Sequence, residues 1–178
     1  MRTLQENLTQ YAAYHRDRRN IATHFVGVPM IVFSVILALN EVHFSLGSMQ
    51  PTLAVVVAVA AILYYVSQDV VLGLTMAVIF LLMCAGASEI TARFSTPAAL
   101  GIALAIFVVG WALQYWGHYF EGMKPAFYDD VMGLAIGPLF VLAEAFFLFG
   151  AKPELRRYIE ERVGPTVARR TPAPTSPA

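Results

Sequence analysis

The sequence predicts an all-α fold, a polytopic membrane bundle of helices. The chain has 178 residues, of which 58% are hydrophobic and 13% are charged, whereas about 25% of the residues in a soluble domain are charged. Five apolar stretches approach the roughly 20 residues that a helix needs to cross a bilayer, namely 21–39, 52–67, 70–88, 98–117 and 131–150. We expect four to five apolar spans, because the second stretch is short.

The elements follow in order from the N-terminus. Residues 3–19 are polar, with apolar side chains at helical spacing, and predict an N-terminal interfacial helix. Asn20 is a favourable N-cap for the first span, so we expect that span to begin at Ile21. Only Gln68 and Asp69 separate the second span from the third, which predicts a tight helical hairpin.

The last apolar stretch carries Gly137–Pro138 at its middle, a pattern typical of a broken or re-entrant helix. Residues 1–150 therefore form the predicted integral membrane domain, which would hold any catalytic site. Residues 151–163 are charged and predict an amphipathic surface helix. Residues 164–178, rich in Pro, Thr and Ala, predict a disordered tail.

The distribution of basic residues gives the orientation. Arg16, Arg18 and Arg19 precede the first span and place the N-terminus in the cytoplasm. Five complete crossings would put Lys152 and Arg156 on the opposite side, against the positive-inside rule. Either the last apolar segment does not fully cross, or the hairpin at 68–69 stops within the bilayer.

Composition also excludes several classes of function. The formal net charge is zero, so the molecule has no electrostatic basis for binding nucleic acid. Cys84 is the single cysteine, which rules out an internal disulfide and a cysteine-based metal site. The low charge and Ala-rich spans favour a bacterial inner membrane, or the endoplasmic reticulum if the source is eukaryotic, with membrane lipid as a partner.

Three of the four histidines are expected at one depth. His15 precedes the first span, His24 lies in its first turn and His118 closes the fourth, whereas His43 lies in the loop on the far side. A helix break near residues 19–20 would let His15 and His24 face one site. Three neutral imidazoles suit a first-row transition metal such as iron or zinc, although interfacial histidines also bond to headgroups or backbone carbonyls.

Two acidic residues accompany these histidines. Gln114, His118 and Glu121 are spaced by four and three and share one face of a helix. Glu121 is a candidate fourth ligand, or a group that orients an imidazole. Glu144 lies inside an apolar segment, where a carboxyl group is costly without a partner. It is either a protonated acid between helices or a support for the site.

Three stretches carry a resemblance to a known family. They are "YAAYHRDRRNIATHFVGVP" (11–29), "QYWGHYFEGMKPAF" (114–127) and "GPLFVLAE" (137–144). Together they resemble the membrane family of 2-hydroxy fatty acid dioxygenases, first recognised in fungi. The fungal pattern often has a second histidine where this chain has Arg16, and an Asp-Asn pair where this chain has Asp129–Asp130. The matching positions are Tyr14, His15, Asn20, His24, Pro29, Gln114, Gly117, His118, Glu121, Pro125, Ala126, Asp129, Pro138 and Glu144.

The resemblance implies an Fe(2+)-dependent dioxygenase that uses O2 to shorten a long-chain 2-hydroxy fatty acid by one carbon. It implies that His15, His24 and His118 hold the metal, that Glu121 ligates or orients, and that Gln114 and Asn20 fix ring tautomers. Candidates for binding the substrate carboxylate are basic residues near the boundary, with arginine favoured for its bidentate geometry: Arg16, Arg18, Arg19 and Lys124. Asp129 and Glu144 are supporting residues.

Two other functions fit the same residues. His24 and His118 could be the axial ligands of a b-type haem between helices. Alternatively the chain is a non-enzymatic membrane scaffold or lipid carrier with structural histidines. Four histidines are too few for a membrane diiron hydroxylase.

Overall fold

The computed structural model describes residues 2–124 and 132–167, and every regular element within them is a helix. The predicted all-α class is therefore confirmed. The helices are α1 Leu4–Ala12, α2 Arg18–Asn40, α3 Leu53–Gln68, α4 Val70–Arg93, α5 Thr96–Glu121, α6 Met132–Leu148 and α7 Pro153–Val163.

The number of membrane-crossing helices is slightly below the four to five predicted. Helices α2, α4 and α5 are each long and apolar enough to cross, and α6 with α7, bent by 112°, counts as a fourth only if the pair is one span. Helix α3 has 16 residues, which rise about 24 Å and fall short of a hydrocarbon core of about 30 Å.

Helices α2 to α5 nevertheless run between the same two ends of the bundle. At one end, the Asn40 side chain bonds to Thr91 and Thr52, which joins the end of α2 to α4 and to the start of α3. At the other end, which we call the histidine end, the Asn7 amide of α1 donates to Gln68 at the end of α3. The tight hairpin predicted at residues 68–69 is thus anchored at the histidine end.

Both ends of α6 also lie at the histidine end. The Tyr65 hydroxyl donates to the Ala135 carbonyl near the start of α6 at 2.7 Å. Beyond its other end, the Lys152 ammonium lies 2.6 Å from the Asp69 carboxylate. Helix α6 therefore lies across this end of the bundle, and the basic residues of α7 share the side of Arg16. The conflict with the positive-inside rule disappears because this apolar helix does not carry the chain to the opposite end.

The break between α1 and α2 comes earlier than predicted. Asp17, and not Asn20, is the N-cap of α2, and its carboxylate accepts the Arg19 backbone N–H at 2.8 Å. Asn20 lies in the first turn, where its side-chain amide bonds to Glu121. Asp is as good a cap as Asn, so the competing bond at Asn20 decides the boundary.

The expected break at Gly137–Pro138 also occurs elsewhere. Helix α6 continues through Pro138, and the chain turns at residues 149–152, where Gly150 and Lys152 have φ of 73° and 53°. The first residues of the predicted disordered tail, 164–167, lie beside residues 16–18, with Arg18 N–H bonded to the Val167 carbonyl at 3.0 Å. Residues 168–178 lie outside the described residues.

Helices α2 and α5 pack closely against each other at glycines. A Cβ added to Gly27 would lie 2.9 Å from the Gly110 carbonyl oxygen, and one added to Gly110 would lie 3.1 Å from the Gly27 oxygen. At Gly117, an added Cβ would overlap the Thr23 hydroxyl and lie 2.5 Å from Asn20 Oδ1. Small residues let two membrane helices approach closely, and this approach brings His118 to His24.

Replacing Gly117 by alanine is expected to destabilise the protein by about 1–3 kcal/mol, because the helices must separate to admit one methyl group. Thermal unfolding in detergent measures the effect. Gly101→Ala on the same helix is the matched control, since a Cβ there meets nothing within 4 Å, and it should leave the midpoint unchanged or raise it. Equal midpoints for the two variants would contradict the packing described.

Candidate metal centre

Three histidines from separate parts of the chain meet at the histidine end. His15 lies in the connection after α1, His24 on the second turn of α2 and His118 near the end of α5. Their ring centroids are 4.5, 4.8 and 5.2 Å apart. One ligand nitrogen from each ring lies within 4.8 Å of the others, and all three residues are buried.

Backbone carbonyls select the tautomers of two rings. His15 Nδ1 lies 2.7 Å from the Tyr11 carbonyl oxygen, and His24 Nδ1 lies 2.8 Å from the Asn20 carbonyl oxygen. A carbonyl oxygen can only accept, so each Nδ1 carries the proton. Each neutral ring therefore presents the lone pair of its Nε2 to the centre of the cluster.

These two lone pairs face each other. The Nε2 atoms of His15 and His24 are 3.0 Å apart, and neither has a proton with which to form a hydrogen bond. Protonating one ring would make a bond, but burial, together with the nearby His24 and His118, lowers the pKa of His15 well below its usual value. A cation between the two nitrogens satisfies both lone pairs.

The spacing fits one first-row metal ion. Two nitrogens bound to one ion at about 2.1 Å lie about 3.0 Å apart when they subtend a right angle. His118 Nδ1 is buried and has no hydrogen-bond partner among the described residues, so it can offer a third lone pair. A set of three imidazoles suits iron, zinc, copper or nickel and leaves coordination positions open.

Glu121 is bonded to the connection that carries His15. Its carboxylate accepts the Arg16 backbone N–H at 3.0 Å, the Asp17 N–H at 2.7 Å and the Asn20 side-chain amide at 3.1 Å. One buried anion thus ties the end of α5 to the turn between α1 and α2. Among the described residues, the group of side chains close enough to share an ion contains the three histidines without Glu121.

Arg16 and Glu144 form an ion pair next to the segment that carries His15. The Arg16 Nε donates to the carbonyl oxygens of Ala12 and His15, both at 2.9 Å, and one terminal nitrogen donates to the Gly164 oxygen. The other terminal nitrogen of Arg16 lies 3.4 Å from Glu144 Oε1. Glu144 therefore has a charged partner on the chain segment that positions His15.

Arg19, one of the predicted carboxylate-binding residues, has other contacts. The Arg19 guanidinium bonds to both oxygens of Asp17 and lies 4.5 Å above the Phe120 ring. Lys124 is the last described residue before 132, and Asp129 lies outside the described residues. Gln114 is buried on α5, one turn before His118, and within the described part of the chain its Nε2 has no hydrogen-bond partner.

A cavity between α2, α5 and α6 opens beside the histidines. Its polar groups include those of His24, His118 and Gln114, and its apolar wall includes Val28, Ile31 and Leu134. The cavity therefore places apolar side chains of α2 and α6 next to two of the candidate ligands.

Sequence reasoning missed two residues of this site. Tyr11 stacks on the His15 ring with centroids 4.2 Å apart and an interplanar angle of 2°. Its position four residues before His15 on a helix is the signal that could have indicated this contact. Asp17 is the N-cap of α2. Its position directly after Arg16 in the sequence gave no indication of this role.

Comparison with known proteins identifies the family of the chain. The family described as "2-hydroxy-palmitic acid dioxygenase Mpo1-like" matches residues 1–148. The 2-hydroxy-palmitic acid dioxygenase MPO1 of Saccharomyces cerevisiae is 28% identical over 160 residues, which cover 88% of this chain and 87% of the yeast protein. No solved structure matches the chain. This chain belongs to the Mpo1-like family of 2-hydroxy-palmitic acid dioxygenases.

Proposed function

We propose that this protein is an iron(II)-dependent dioxygenase that converts long-chain 2-hydroxy fatty acids into fatty acids one carbon shorter. The observation that carries the proposal is the pair of facing Nε2 lone pairs of His15 and His24, 3.0 Å apart, with His118 beside them. The name of the yeast relative supports the substrate class and the use of O2.

The cavity supports an amphiphilic substrate. Its apolar wall on α2 and α6 suits an acyl chain, and its polar part at His24, His118 and Gln114 suits a hydroxy acid head. A long-chain acid keeps its tail in hydrocarbon and its head at the boundary, and the candidate ligands lie at that boundary. The substrate therefore needs no transfer through water to reach the site.

In this proposal each residue of the site has a separate role. Iron(II), when bound, would allow O2 to react with the organic acid, and the acid itself supplies the electrons that reduce O2. The carbonyls of Tyr11 and Asn20 hold the Nδ1 protons of His15 and His24, so that both rings offer Nε2. Glu121 fixes the turn that carries His15. The stacked Tyr11 and the apolar wall exclude water from the reacting head group.

A haem would fit this arrangement poorly. Axial ligation by His24 and His118 requires a flat macrocycle between the two rings, but their centroids are 5.2 Å apart and His15 Nε2 lies 3.0 Å from His24 Nε2. The position that a porphyrin would need is filled by an imidazole.

Turnover by the purified protein tests the proposal. The protein in detergent, loaded anaerobically with iron(II) and then given air, should convert 2-hydroxypalmitate to pentadecanoate while consuming O2. Removing the metal with a chelator should stop both, and iron(II) should restore them, whereas zinc should not. Palmitate is the control substrate and should remain intact. Iron bound at one equivalent without any pentadecanoate would refute the proposed reaction.

A further inference from the structure

The side chain of Gln114, which lines the cavity together with His24 and His118, carries a donor that no described residue accepts. Gln114 is 4% exposed, and its Nε2 is buried without a hydrogen-bond partner among residues 2–124 and 132–167. A buried amide N–H without an acceptor is unfavourable. The position of this donor therefore indicates an acceptor that arrives with a ligand.

The packing of α2 against α5 holds this amide in place. A Cβ added to Gly27 would lie 2.6 Å from Gln114 Nε2, so the Gln114 side chain rests on the backbone of α2. Gln114 also precedes His118 by one helical turn, which puts the two side chains on the same face of α5. The amide and the imidazole thus approach one bound molecule from neighbouring positions.

A carboxylate bound in this cavity would meet no basic side chain from the described residues. No Lys or Arg lines the cavity. The nearby guanidinium groups are bonded elsewhere, Arg19 to Asp17 and Arg16 to Glu144. Residues 125–131, "PAFYDDV", contain no Lys or Arg in their sequence. Apart from a metal ion, only neutral donors line the cavity, namely the Gln114 amide, the Tyr11 hydroxyl and the Trp111 indole N–H.

We propose that the Gln114 amide donates a hydrogen bond to the carboxylate of the bound long-chain acid and so selects acids over neutral amphiphiles. This inference rests on the proposed function and names the group that recognises the substrate head. A hydrogen bond to a charged acceptor is stronger than one to a neutral acceptor. Losing it should weaken binding of the acid by about 10- to 100-fold.

Equilibrium binding of two ligands tests the inference. 2-Hydroxypalmitate and 1,2-hexadecanediol have the same tail and the same 2-hydroxyl group, but the diol lacks the carboxylate. In Gln114→Met, which has a similar length and no donor, the Kd of the acid should rise about 10- to 100-fold while the Kd of the diol stays constant. Gln114→Glu, which places an anion there, should weaken the acid further. The iron content and thermal midpoint of Gln114→Met should match those of the wild type.

The matched control is Gln50→Leu, because Gln50 is exposed in the loop between α2 and α3. It should leave both dissociation constants unchanged. An unchanged ratio of the two constants in Gln114→Met would overturn the inference, and so would equal weakening of acid and diol, which would indicate a structural role. If the wild type binds acid over diol through Gln114 but makes no pentadecanoate, the proposed reaction fails and this recognition stands.

Discussion

His118→Ala is expected to abolish both bound iron and oxygen-dependent turnover. The substitution removes one of the three imidazoles whose ligand nitrogens lie within 4.8 Å of one another, and two remaining ligands hold a divalent ion poorly. Metal analysis after anaerobic loading gives the iron content, and an oxygen electrode gives the rate with 2-hydroxypalmitate. We expect iron well below one equivalent per chain and a rate equal to that without protein.

His43→Ala is the control for this experiment. His43 is exposed in the loop at the opposite end of the bundle, so its removal should change neither iron content nor rate. Circular dichroism should show the same helical content in both variants. Iron at one equivalent and full turnover in His118→Ala would refute the assignment of His118 to the metal.

Glu121→Gln is expected to lower both the stability of the metal-free protein and its affinity for metal. The carboxylate accepts three N–H donors, from Arg16, Asp17 and Asn20. A glutamine amide turns its own N–H₂ group toward some of these donors and leaves them unsatisfied. We expect a loss of about 2–3 kcal/mol of folding free energy and a loss of about 10- to 100-fold in metal affinity, because the turn carrying His15 loosens.

The measurement separates the two roles that the sequence left open for Glu121. If the carboxylate orients the turn, the thermal midpoint of the metal-free protein falls along with the metal affinity. If it were a ligand, the metal-free midpoint would stay constant and only the affinity would fall. Glu161→Gln on α7 is the control, since the Glu161 side chain is 63% exposed, and it should change neither quantity.

Much of the fold followed from local chemistry that the sequence displays directly. Hydropathy identified the apolar helices, and the spacing of Gln114, His118 and Glu121 identified one face of α5. The predicted position of the first helix break was wrong because the Asn20 side chain can either cap a helix or bond to another side chain. In the structure it bonds to Glu121, 101 residues away. Local pattern carries no information about such a partner.

Two further features depend on contacts between residues that are far apart in the sequence. The partner of Glu144 is Arg16, 128 residues earlier, and no spacing rule connects them. The path of α6 across the histidine end also escaped prediction, because Gly137–Pro138 indicated a break where the helix continues. The convergence of the histidines was predictable because each closes or opens an apolar segment on the same side. The roles of all predicted site residues stay predictions, namely His15, His24, His118, Glu121, Gln114, Asn20, Arg19, Lys124, Asp129 and Glu144.

Under the proposed function, the course of α6 has a consequence for how a hydroxy acid reaches the cavity. Because α6 starts and ends at the histidine end, the cavity that it forms with α2 and α5 would lie beside one leaflet of a surrounding bilayer. Fatty acids dissolved in that leaflet would arrive by lateral diffusion within a two-dimensional phase. The concentration that governs saturation is then the mole fraction of hydroxy acid in the surrounding lipid, and diluting the aqueous phase leaves it nearly constant.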